Sequence, residues 1–359
     1  QSLSLFSTVP FRTSVSAFTT VRSRSRATLP RCAFTRTIMS SSAESGDVKV
    51  SISDAFDGGN IEFVEQKGNQ VFLKIKPDLY TELEKTNHFQ YFAFRSLPSL
   101  GGHKEEIEYV IQNAKDASYA GAWNGSTVCY SKALSSGWKR LLNTNYEDGC
   151  LKFSATGSGY FAYFPPYSYQ RHLEFLSKIG EEHIFSLGKT LQGRDIDCVK
   201  IGSGKSICWL IHRQHPGESM AEYYAEGVLT RLLGLETEGS IDGVARECLQ
   251  KYTFYIVPNM CLDGSVMGHL RTNAAGANLN REWHPSEGYD APTLERSPEV
   301  YHVLKKMDET GVDAFLDVHG DEALPFNFLA GSEGCPKWEG RLKKLHGAFL
   351  ASYCRANPD

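Results

Sequence analysis

The chain has no apolar stretch near the roughly 18–20 residues that a helix needs to cross a bilayer, so no spanning helix is expected. It has no CxxC pair among nine cysteines, which stand singly at 32, 129, 150, 198, 208, 248, 261, 335 and 354. Without disulfide-like clustering they read as free thiols of a reducing compartment. It has little net charge, −4 over 359 residues, which argues against nucleic acid as the main partner. Internal repeats are also absent.

Acidic residues are missing from the start: none precedes Glu44 and no Lys precedes Lys49, while six Arg (12, 22, 24, 26, 31 and 36) lie among many Ser and Thr. That composition resembles a plastid or mitochondrial transit peptide. Met39, the first methionine, equally allows residues 1–38 to be a leader ahead of a cytoplasmic start. In both cases residues 1–47 are set aside from the fold. Length suggests two domains, and a 41% hydrophobic content is enough for packed cores.

From Val48 to Phe164 the signals are strand-like. Val71, Leu73 and Ile75 alternate with Phe72, Lys74 and Lys76, and Tyr91–Phe94 and Tyr160–Phe164 are short aromatic runs. A β-sandwich over residues 48–165 is expected. The aromatics lack the interleaved basic residues of a base-stacking platform. Pro165-Pro166 marks the boundary, and residues 166–359 then alternate strands with helices, which implies an α/β domain with a mixed, mostly parallel sheet. A helix is expected over Met220–Leu233 with Gly234 closing it, and another opening at Ser297-Pro298 and ending at Gly311.

His215-Pro-Gly-Glu218 follows the apolar run Ile207–Ile211, and His319 follows Phe315, Leu316 and Val318. A buried strand presents side chains at its carboxyl end, where open α/β sheets place their sites. His215 and Glu218, three apart on a turn into a helix, can point the same way. A third ligand from another strand end completes a shell of two His and one carboxylate, which leaves a position open and so suits a catalytic zinc. Each His alone also reads as an ordinary polar residue at a strand end.

The segment between them favours a site. It runs from Val257 to Trp283, is rich in Gly and Asn, and carries Arg271 and Arg281. The planar guanidinium fork binds a free carboxylate bidentately, a task that suits Asn280 and Arg281. Arg271 is the candidate to polarise a scissile carbonyl and stabilise its oxyanion. An isolated Arg in a Gly-rich loop would otherwise read as solvated surface.

His215-Pro-Gly-Glu218, the Asp263-Gly264 turn, Arg271-Thr-Asn, Asn278-Leu-Asn280-Arg281-Glu-Trp283 and Asp317-Val-His319-Gly together resemble the M14 zinc carboxypeptidases, most of all their cytosolic carboxypeptidase-like branch. The segment Tyr160–His172 resembles that branch's junction between β-sandwich and catalytic domain. The resemblance spans roughly residues 48–359. It implies one zinc per chain on His215, Glu218 and His319, with Asn280 and Arg281 holding the substrate carboxylate and Arg271 polarising the carbonyl. Its substrates would be peptide or protein carboxyl termini, with glutamate as a candidate for the removed residue. Cys261-Leu262 stands where the family usually has Asn-Pro before Asp-Gly.

The family's general-base Glu comes from a late strand, and the chain ends at Asp359, about forty residues past His319. The resemblance therefore implies that residues 1–359 lack that base and the following strands, and that the fragment is inactive with an open sheet edge. Glu322 has no spacing that would make it a substitute. A helix from Lys337 to Tyr353 would carry an apolar face of Trp338, Leu342, Leu345 and Phe349. Two other readings remain, an aspartoacylase-like zinc amidohydrolase and a non-catalytic module that keeps the carboxylate clamp.

Overall fold

The computed structural model describes residues 2–5 and 48–357, apart from 83, 85, 286–289, 325, 332 and 334–337. These described residues belong to one compact unit. The rest of the leader segment, and Lys337, lie outside them.

Two five-stranded sheets face each other as a sandwich. One has the order Val50–Ser53, Ala93–Pro98, Gly159–Ala162, Val128–Ser131, Lys139–Leu141; the other runs Glu62–Lys67, Gln70–Lys74, Glu106–Ile111, Cys150–Thr156, Asn145–Glu147. The period-two alternation works as expected: Val71, Leu73 and Ile75 are buried while Lys74 and Lys76 are exposed. Between the sheets Phe94, Tyr109, Phe153 and Phe161 interlock, with Tyr109 and Phe161 centroids 4.8 Å apart. Each such ring contributes roughly 1.5–3 kcal/mol by leaving water.

The second layer is a seven-stranded mixed sheet in the order Ile184–Lys189, Asp195–Ile201, Tyr252–Val257, Ser206–His212, Ala314–Val318, Ser2–Leu5, Phe328–Ala330. Its centre, Tyr252–Val257, Ser206–His212 and Ala314–Val318, is parallel. The hairpin Ile184–Ile201 joins it antiparallel, as a direct chain reversal requires, while the three central strands are linked through helices.

Ser2–Leu5 was set aside on composition, yet it pairs antiparallel with Ala314–Val318 and parallel with Phe328–Ala330. Ser-Leu-Ser-Leu has the alternation of a strand, and its pairing extends the sheet from Ala314–Val318 to Phe328–Ala330.

The helix Ser219–Leu233 ends at Gly234, whose φ of 65° suits a left-handed cap. The helix Pro298–Thr310 begins after Ser297 as expected, but the Ser297 hydroxyl does not cap it; Oγ donates to Glu282 Oε2 at 2.8 Å. Asp263-Gly264 is no loop turn. It lies inside the short helix Leu262–Met267, where buried Asp263 accepts from Thr190 Oγ1, Gln192 N–H and Arg194 Nη1. Gly264 is needed there for close approach, since a Cβ would meet Thr272 O at 2.5 Å. The last helix spans Arg341–Ala356 and buries His346, leaving Leu345 exposed. Among the described residues no helix is long and apolar enough to cross a membrane.

Register places the site. His212 pairs with Val318 across the parallel strands, so the chain leaves both at the same sheet edge. His215 and His319 follow within three residues and one residue of those ends.

Candidate metal centre and its surroundings

The turn from strand to helix is tightly bound. Arg213 takes φ 56°, unusual for a side chain with a Cβ, and is held there by burial and by Nε to Pro216 O (2.9 Å), Nη1 to Tyr167 O (2.9 Å) and Nη1 to Glu222 Oε2 (2.7 Å). Such strain persists only where surroundings over-determine it. Gly217 N–H donates to Leu270 O at 3.0 Å, which ties the turn to the Arg271 loop.

His215, Glu218 and His319 converge, with one ligand atom from each lying within 4.8 Å of the others, and all three are buried. His215 Nδ1 is 2.7 Å from Glu218 Oε1, and His319 Nδ1 is 2.9 Å from Glu218 Oε2. The outer nitrogens are also engaged: His215 Nε2 with Asn278 Oδ1 at 3.2 Å, His319 Nε2 with Asp317 Oδ2 at 2.7 Å. Among the described residues this is the one cluster of its kind.

The donor set fits zinc. With protons on both outer nitrogens, two imidazole lone pairs and a carboxylate face one point, an arrangement that a divalent cation relieves. Behind His319 the support continues, as Gln214 Nε2 donates to Asp317 Oδ2 (2.6 Å) and Trp283 Nε1 donates to Gln214 Oε1 (2.6 Å). Gly320 N–H adds a bond to Glu218 Oε2 at 2.9 Å.

Burial disfavours a charged Glu218, but the facing His215 and His319 outweigh it and hold the carboxyl below its ordinary range. Burial likewise pushes the His215 imidazole down against the pull of Glu218. Glu222, one helical turn on, ties this turn to a buried network. It accepts from Asn259 Nδ2 at 2.8 Å and contacts His172 Nδ1 at 2.7 Å.

The Arg271 loop is tied to this turn through Gly217 N–H and Leu270 O, and the Arg271 charge helps to keep His215 neutral and Glu84 ionised. Arg271 Nη1 donates to the Tyr119 hydroxyl at 2.9 Å. Asn280 and Arg281 sit on the short turn Leu279–Arg281, with Arg281 exposed and its Nη1 donating to the Asn280 carbonyl at 2.9 Å. Arg281 is close enough for its charge to act on Tyr119. Asn280 N–H donates at 3.2 Å to the same Asn278 Oδ1 that meets His215 Nε2, so the half-buried Asn280 adjoins the cluster while Arg281 reaches the surface.

Glu322, which spacing did not single out, also lies beside the cluster. Burial and the Glu218 charge push its carboxyl up to about 8. Tyr163 OH donates to its backbone carbonyl at 3.3 Å. Sequence reasoning also missed the supporting roles of Asn278, Asp317, Gln214 and Trp283. The outer-nitrogen requirement of a metal-binding His was the available signal for Asp317, two residues before His319.

Comparison with known proteins gives two family matches, the cytosolic carboxypeptidase N-terminal domain at residues 52–164 and zinc carboxypeptidase at residues 176–342. An uncharacterized protein of Zymomonas mobilis is 43% identical over 314 residues, covering 86% of this chain and 77% of that protein. The solved metallo-carboxypeptidase of Pseudomonas aeruginosa, in complex with (2-guanidinoethylmercapto)succinic acid, aligns with a TM-score of 0.73 at 36% identity, over 83% of this chain and 77% of that one. Cytosolic carboxypeptidase 3 of Mus musculus is 25% identical over 356 residues; this chain spans only 33% of its length.

Proposed function

From a chain that belongs to the M14 zinc carboxypeptidase family, we propose a zinc-dependent metallocarboxypeptidase that removes the residue at the free carboxyl end of a peptide or protein. The supporting observation is the convergence of His215, Glu218 and His319 beside Arg271. Zinc held there would supply a Lewis acid and water activation near neutral pH.

The chain's own groups would hold the metal and position the substrate. Nδ1 of His215, Nδ1 of His319 and the Glu218 carboxylate would hold one zinc ion. Asn278 and Asp317 fix the outer nitrogens, so the imidazoles present lone pairs inward. Arg271 polarises the scissile carbonyl and stabilises developing negative charge on its oxygen. Asn280 and Arg281 grip the terminal carboxylate, a group also present in the succinate bound to the Pseudomonas relative. Glutamate is one candidate for the removed residue. The seven described cysteines, all free, suit a reducing compartment such as the cytoplasm. The aspartoacylase-like alternative draws no support from these relatives.

The test uses zinc-loaded full-length protein and one peptide series, each member as free acid and as carboxyl amide, with Glu, Lys or Phe last. Mass spectrometry should show loss of one residue from the free acids only, fastest for Glu and abolished by chelation. Equal cleavage of the amides contradicts a carboxypeptidase. Tight binding of free acids without release would make the protein a binding module instead.

A further inference from the structure

The sandwich reaches into the site. In the segment after its strand Gln70–Lys74, Asp78 is 4% exposed and faces the Arg271 loop. Its Oδ1 accepts from Leu270 N–H at 2.6 Å. Its Oδ2 accepts from Arg271 N–H and Thr272 N–H, both at 2.9 Å, and from Thr272 Oγ1 at 3.0 Å. One carboxylate thus collects three consecutive backbone donors, and such charge-assisted bonds are the strong ones.

Neighbouring contacts bind the same two segments. Leu79 N–H donates to His269 Nε2 at 3.2 Å, and His269 Nδ1 in turn donates to Thr272 O at 3.0 Å. Glu84 Oε1 accepts from Asn278 N–H at 3.2 Å, and Asn278 is the residue beside His215 Nε2. Gly276, at φ 78°, lies so near Tyr80 that a Cβ would meet the Tyr80 carbonyl oxygen at 1.6 Å. On its other side Arg271 meets Tyr119, also from the sandwich, at 2.9 Å. Both the backbone and the guanidinium of Arg271 are therefore held by groups outside the α/β layer.

We propose that Asp78 is a positioning residue for Arg271, which makes the β-sandwich a working part of the active site. The proposal rests on the carbonyl-polarising role given to Arg271 above. Losing the carboxylate leaves buried backbone donors unpaired, the loop relaxes to satisfy them, and the guanidinium moves away from the oxyanion it must meet. A displacement of about 1 Å can cost on the order of a hundredfold.

Two probes separate positioning from general support. The first is a peptide phosphonate whose tetrahedral anionic group replaces the scissile amide. The second is a matching isostere with a methylene in place of that carbonyl, keeping the terminal carboxylate. Their binding is measured by calorimetry on zinc-loaded full-length wild type, Asp78→Asn, Arg271→Ala and the double variant, with zinc content and thermal midpoint read on each. Asp78→Glu, which keeps the charge but moves it by one methylene, stands in if Asp78→Asn does not fold.

The expected result is phosphonate binding weakened about ten- to hundredfold by Asp78→Asn, isostere binding unchanged, and a double variant no weaker than Arg271→Ala. Wild-type phosphonate affinity in Asp78→Asn, while Arg271→Ala loses it, overturns the proposal and leaves the Arg271 role standing. Loss of both probes and of zinc together would assign Asp78 a structural role and also overturn it. Undiminished phosphonate binding by Arg271→Ala removes the Arg271 role itself.

Discussion

His319 leans on Asp317: Nε2 of the imidazole lies 2.7 Å from Oδ2 of the carboxylate, and both residues are buried. The contact keeps the proton on the outer nitrogen and raises the basicity of Nδ1, the atom that faces Glu218. Supporting carboxylates of this kind are typically worth about 10–100-fold in metal affinity. Asp317→Asn should weaken zinc binding by that factor with the fold intact, measured by competition against a zinc-binding dye. An unchanged zinc Kd would show that Asp317 does not tune the ligand.

Arg281 stands exposed at the rim, so its contribution is discounted for solvent. A charge-assisted hydrogen bond is worth roughly 1.5–3 kcal/mol, and an exposed one belongs at the lower end. Arg281→Ala should weaken free-acid peptides about tenfold and hardly affect their carboxyl amides. Equal losses on both peptides would mean that Arg281 does not read the carboxylate.

His172 is 2% exposed between Asp197, 3.2 Å from Nε2, and Glu222, 2.7 Å from Nδ1. Burial disfavours its charge, but the two carboxylates prevail and raise its pKa from 6.5 to about 9. A pKa higher in the folded state means that the stability is fully present below about 6.5 and is lost as pH rises through about 9. The shift corresponds to roughly 3 kcal/mol at about 1.36 kcal/mol per pKa unit. Glu299, pushed by burial from 4.5 to about 8, acts with the same sign at lower pH. Urea midpoints should therefore fall between pH 7 and about 9.5, and His172→Gln should flatten that window. A wild-type midpoint that is constant or rises across it would contradict the charged-network account.

The convergence of His215, Glu218 and His319 was legible because its signal is local: a buried strand, then His-Pro-Gly-Glu, and a second strand followed by His. The sandwich and the central parallel strands were legible from alternation and apolar runs for the same reason. Asp78 was not, because its partners Leu270, Arg271 and Thr272 lie 192 to 194 residues away and no periodicity links them. Tyr119 and Glu84 were hidden in the same way. Asp263-Gly264 misled, since a dipeptide that usually marks a turn here anchors a loop and permits close packing. Ser297 had the residue type of a cap but found a stronger acceptor in Glu282. Ser2–Leu5 was obscured by the arginine- and serine-rich stretch around it, although its own four residues alternate as a strand does.

The account stands on one metal ion shared by His215, Glu218 and His319. Metal content per chain tests it most directly, by elemental analysis of purified wild type and of His215→Ala, Glu218→Ala and His319→Ala after dialysis. Removing one of three protein ligands should abolish retention, so wild type should hold about one zinc per chain and each variant close to none. Near-stoichiometric zinc in either histidine variant would contradict the assignment.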